Sequence, residues 1–132
     1  MDVAPPELPR VRLVSAWARV TVIAWIIVMA GLVATAVTGR NVGKPAWWIG
    51  TETDPAFALL WIGPFVLPVI TILLAFRASR LVPFAGVASA LVIAGFALGD
   101  VQSSPGVALV GGVVALGALL VALATFAGLE RQ

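Results

Sequence analysis

Cysteine, histidine and tyrosine are all absent from these 132 residues, and only 11% of the chain is charged. Without cysteine there is no disulfide, no thiolate metal site and no thiol relay. Without histidine there is no imidazole ligand for haem, zinc or copper, and no imidazole base near neutral pH. Charge is also missing where it would carry most information. Four long apolar stretches have no Asp, Glu, Lys or Arg near their middles, and charges inside membranes mark ion paths, proton relays and substrate sites. These absences remove most of the equipment of membrane redox enzymes, thiol exchangers and carboxylate-driven transporters. The reading is therefore of a protein that is not an enzyme and needs no cofactor and no metal.

What fills the chain instead is hydrocarbon. Hydrophobic residues make up 61% of it and the mean hydropathy is +1.11, beyond what a soluble domain of this size buries. The apolar stretches cover roughly 17–38, 56–76, 81–99 and 106–127. At about 1.5 Å of rise per residue each is roughly 28–33 Å long, the thickness of a bilayer's hydrocarbon core. The fold class expected is all-α: a single four-helix integral membrane domain over residues 1–132, with up-down topology. The first stretch exceeds the 7–15 residues of a signal h-region and follows a segment with Asp2, Glu7 and three prolines, so it reads as a retained span. Pro5, Pro6 and Pro9 make that N-terminal arm extended, set along the membrane surface or a partner.

Orientation follows from the basic residues. Arg10, Arg12, Arg19, Arg77, Arg80 and Arg131 fall on one side, and Arg40 and Lys44 on the other. Positive charge gathers on the cytoplasmic side, so both termini are expected there, in a multi-pass protein of the cell membrane. The Ala, Val, Gly and Arg usage points to a high-GC bacterium. The lipid bilayer is the first partner, and the basic residues read as topology signals, not as a nucleic-acid surface.

Three features stand out from that background. The 39–53 loop reads GRNVGKPAWWIGTET, and its Trp47, Trp48, Arg40 and Lys44 are candidate contacts for a neighbouring protein or for lipid, against the plainer role of interfacial anchors. Pro64 and Pro68 lie four apart in the second span and free the carbonyls of Leu60 and Pro64, predicting a kink. Those carbonyls would face other helices, water or a hydroxyl such as Thr21, Thr35 or Ser89. Small residues at helical spacing, with Gly86, the Gly95/Gly99 pair and Gly111 foremost, predict close packing of the third span on the fourth.

Local signals complete the picture. Asp54-Pro55 and Ser104-Pro105 have the form of a helix N-cap followed by proline in the first turn. Asp100 closes the third span, where the helix dipole disfavours a carboxylate, and Arg40 or Lys44 stand on the right side to compensate it. The function expected is that of a non-catalytic accessory, assembly or stabilising subunit of a larger membrane complex, respiratory or transport in kind. The alternative is a small homo-oligomeric channel or transporter whose path is lined by the kinked second span.

Overall fold

The computed structural model describes residues 10–49 and 56–131. Helices α1 (Ser15–Asn41), α2 (Ala56–Phe76), α3 (Val82–Gly99) and α4 (Pro105–Phe126) lie between two short strands, β1 (Val11–Leu13) and β2 (Leu129–Arg131). All four helices are long and apolar enough to cross a membrane. The protein is an all-α four-helix membrane bundle, and α1 and α3 each pack on both α2 and α4. The pair α3 and α4 makes the most extensive contact.

Helix ends are set by backbone chemistry. Helix α1 runs 27 residues, about 40 Å at 1.5 Å per residue, more than a bilayer core requires. It carries on through Gly39, Arg40 and Asn41, which the sequence assigns to the loop. The reason is at Gly43, whose φ of +71° terminates the helix only there. Lys44 N–H then reaches Gly39 O at 2.8 Å and Gly43 N–H reaches Arg40 O at 3.1 Å, the paired closure that a left-handed residue permits. Helix α2 ends in the same way, with Ser79 N–H on Leu74 O and Ala78 N–H on Ala75 O. Here the left-handed position is held by an alanine, Ala78, at φ +49°. Ser104 does stand at the start of α4 with Pro105 behind it, but its side chain makes no capping bond. The Asp54-Pro55 start and the arm before Arg10 lie outside the described residues.

The two short strands are an addition to the sequence reading. After the undescribed proline segment, β1 pairs antiparallel with β2, Val11 opposite Arg131 and Leu13 opposite Leu129. Leu13 N–H donates to Ala78 O at 3.1 Å and Val14 N–H to Gly128 O at 3.0 Å. The side chain of Leu13, 3% exposed, enters a cluster with Val22, Ala75 and Val82. Pairing the two ends satisfies backbone groups that an isolated extended segment would leave open. It also brings both ends of the described chain to one end of the bundle, the terminal end; the 42–49 segment lies at the opposite, loop end.

The core is built on Trp25, which is fully buried among Val28, Leu32, Ala90, Ile93, Ala115, Ala118 and Ala122. Gly86 makes room for it. A Cβ at Gly86 would stand 2.9 Å from Ala122 Cβ and 3.2 Å from Trp25 Cζ2. Gly111 is a further close approach of α3 and α4, 3.0 Å from Ala97 Cβ on the same measure. The Gly95/Gly99 pair is corrected by the structure, because nothing lies within 4 Å of a Cβ at Gly95 and Gly99 faces Trp47. It does not join α3 to α4. Two residues four apart share a helix face only roughly, and the loop here has taken the place of a helix at one of them.

Pro64 and Pro68 are both buried in the bundle. The hydroxyls expected to meet their freed carbonyls are engaged elsewhere. Thr35 donates to Gly31 O, Ser89 to Ala85 O, and Thr21 pairs with Thr125. A buried contact of 3.0 Å between Thr71 and Ser89 ties α2 to α3. Thr35, Thr71, Ser89 and Thr125 return to carbonyls of their own helix because that acceptor is within reach, four residues back.

Candidate functional site

The most elaborate site in the described residues is at the loop end, where the segment after α1 folds down onto α2 and α3. Trp47 stacks on Phe96 with ring centroids 5.6 Å apart and planes 17° apart. Trp48 meets Phe65 and Phe96 edge-on at 6.3 and 6.2 Å. Trp61 extends the aromatic group by donating its indole N–H to Ile49 O. Two glycines make the packing possible. A Cβ at Gly99 would fall 2.1 Å from Trp47 Nε1, and one at Gly63 would fall 2.8 Å from Phe96 Cζ.

Asp100 sits beneath this aromatic cover, 1% exposed. Its Oδ1 accepts the Trp47 backbone N–H at 2.7 Å, while the Trp47 indole N–H donates to Phe96 O at 2.9 Å. Burial pushes the Asp100 carboxyl above the ordinary carboxylate range, and the Trp47 amide draws it part of the way back. The compensation expected from Arg40 or Lys44 is thus supplied by a peptide dipole. A cavity of about 20 Å³ opens beside the carboxyl, lined by Thr35, Trp48, Pro64 and Asp100 among others. That is room for a single water between polar neighbours.

The residues singled out from sequence divide accordingly. Trp48 is 8% exposed and belongs to the interior of the fold, so it is not a free contact surface. Trp47 keeps 40% of its surface but is held by two hydrogen bonds and a ring. Arg40 occupies the last turn of α1, where a cation suits the helix dipole. Lys44 lines the mouth of a groove between α1 and α4, about 500 Å³ in volume, whose walls include Gly31, Ala34, Thr38, Gly106 and Val110. Asp100, Phe65 and Phe96 form part of the site without having been paired with the tryptophans in the sequence. The signal available was the buried acid of an otherwise uncharged span end. Among the described residues no three acids, histidines or cysteines come together as a metal site.

In chemical terms the site is a closed latch. Among the described residues it holds one carboxyl, the Thr35 hydroxyl and one water-sized space. Family models, curated proteins and solved structures contain no match to this chain.

Proposed function

We propose that this protein is a non-catalytic accessory, assembly or stabilising subunit of a larger membrane complex, respiratory or transport in kind. It resides in the cell membrane of a bacterium with its terminal end in the cytoplasm. The observation that carries this reading is the groove between α1 and α4, which opens away from the bundle and is walled by Gly31, Ala34 and Gly106. Small side chains there let the backbone of another subunit's helix come close, which is how helices associate where lipid removes the hydrophobic drive. The interior supports the same view. It is closed by Trp25, the alanines of α4 and self-satisfied hydroxyls. A channel formed between copies gains little from α2, since Pro64 and Pro68 point into the bundle.

Extraction in mild detergent tests the reading, with Ala34→Trp filling the groove and Leu91→Trp, on the exposed surface of α3, as a control of equal bulk. The expected result is a stable assembly with unrelated chains that persists in Leu91→Trp and is lost in Ala34→Trp, while both variants accumulate in the membrane. A homo-oligomer alone, or an Ala34→Trp protein that keeps its partners at full stoichiometry, overturns it.

A further inference from the structure

A second groove lies at the other end of the molecule, between α1 and α2, and it is of a different kind. It has a volume of about 500 Å³ and is lined by Ser15, Ala18, Arg19, Val22, Ile23, Ala75, Phe76 and Ala78. The α1 residues, at positions 15, 18, 19, 22 and 23, follow the i, i+3, i+4 spacing of a single helix face. From Ser15 to Ile23 the groove descends about 12 Å, a depth within one leaflet.

Its polarity is graded along that depth. Ser15 and Arg19 stand in the first turn of the α1 face and Val22 and Ile23 in the second, while Ala75 and Phe76 close the end of α2 beside them. Ile23 and Phe76 are 59% and 71% exposed, so the apolar part opens to the hydrocarbon and is not sealed by the bundle. The guanidinium of Arg19 is exposed and without an ion pair among the described residues, one turn along α1 from Ser15. The surrounding charge has one dominant sign. Arg10, Arg12, Arg77, Arg80 and Arg131 belong to the same end of the bundle, with Glu130 as the acid among the described residues there.

We propose that this groove is a binding site for an anionic phospholipid, one acyl chain lying against Val22, Ile23 and Phe76 and the headgroup phosphate held by Arg19. Charge complementarity selects the occupant. A guanidinium pairs with phosphate through two parallel N–H···O bonds, which a zwitterionic lipid satisfies less well because its own ammonium competes. Each basic residue near the surface adds attraction for anionic lipid, so the neighbouring arginines raise the local lipid concentration while Arg19 fixes the site. The inference does not depend on the subunit reading, since it concerns a different groove.

Lipid binding to the purified full chain in a neutral detergent, read by native mass spectrometry and by thermal stabilisation, is the test. The probes are phosphatidylglycerol and phosphatidylcholine of identical acyl chains, and water-soluble glycerol phosphate. Phosphatidylglycerol is expected to bind and stabilise, phosphatidylcholine to do so on the order of tenfold less well, and glycerol phosphate not at all. Arg19→Gln should weaken phosphatidylglycerol on the order of tenfold, whereas Arg80→Gln, with the same loss of charge outside the groove, should change it by less than about twofold. Phe76→Ala, at an exposed position, should weaken both lipids in parallel. Equal affinity for the two lipids overturns the proposal. Equal losses in Arg19→Gln and Arg80→Gln overturn it as well, because the attraction would then belong to the surface and not to the groove.

Discussion

Gly95 and Gly99 are identical residues one helical turn apart, and their replacement by alanine is expected to have opposite effects. At Gly95 a Cβ meets nothing within 4 Å, so Gly95→Ala should be neutral or stabilising by up to about 1 kcal/mol from helix propensity. At Gly99 the new methyl would lie 2.1 Å from Trp47 Nε1 and 2.6 Å from Cε2. The indole is rigid, and Asp100 immediately after Gly99 is buried, so the ring is what must leave. Its departure forfeits the stack on Phe96, about 0.5–1.5 kcal/mol, and the bond to Phe96 O, about 0.5–1.5 kcal/mol. If the backbone follows, the amide bond to Asp100 goes too, about 1.5–3 kcal/mol for a charged acceptor. Water at a ring already 40% exposed recovers part of this, and the alanine's propensity offsets up to about 1 kcal/mol more. The net expected loss is about 1–3 kcal/mol. Thermal unfolding in mild detergent, followed by tryptophan fluorescence, should show Gly99→Ala melting several degrees below wild type and Gly95→Ala at or above it. Equal shifts for the two variants would refute the account of Trp47 seated on Gly99.

Two further expectations come from the helix ends. Ala78 holds a left-handed backbone at φ +49°, which costs an L-residue about 1–2 kcal/mol and glycine nothing, against glycine's extra entropy of about 0.5–1 kcal/mol. Ala78→Gly should therefore raise the unfolding free energy by about 0.5–1 kcal/mol; a lower melting temperature in the same fluorescence assay would contradict this. The raised Asp100 carboxyl has a definite pH signature. Between the ordinary carboxylate value and the raised one, the folded state keeps a proton that the unfolded chain has released, so stability falls as pH rises through that window. Asp100→Asn, whose amide oxygen still accepts the Trp47 N–H, should remove that contribution and be more stable than wild type at neutral pH. A wild-type-minus-variant difference that stays constant from about pH 4 to about pH 7 would argue against a burial-shifted carboxyl.

Much of the architecture is determined by composition alone. A chain that is 61% hydrophobic with four uncharged runs of bilayer length has few ways to satisfy its backbone except as four spanning helices. The spans expected at 56–76, 81–99 and 106–127 agree with α2, α3 and α4 to within a residue at each end. The candidate site was legible only in pieces. The loop tryptophans and the acid at the end of the third span are conspicuous in the sequence, but the bond from Trp47 N–H to Asp100 joins residues 53 positions apart. No local pattern records such a pairing.

Tertiary structure also decided what the glycines are for. In the sequence every small residue at helical spacing looks equally able to support a helix crossing, because period and size are all that can be read. In the bundle Gly86 receives Trp25, Gly99 receives Trp47 and Gly128 lies against Trp17, while Gly95 faces open space. The same holds at the terminal end, where Val11–Leu13 becomes a strand only because Leu129–Arg131 is beside it. Span length and hydropathy act within a segment and are fixed by its own residues. Which ring fills which recess depends on where other segments arrive, and that is settled only when the helices pack.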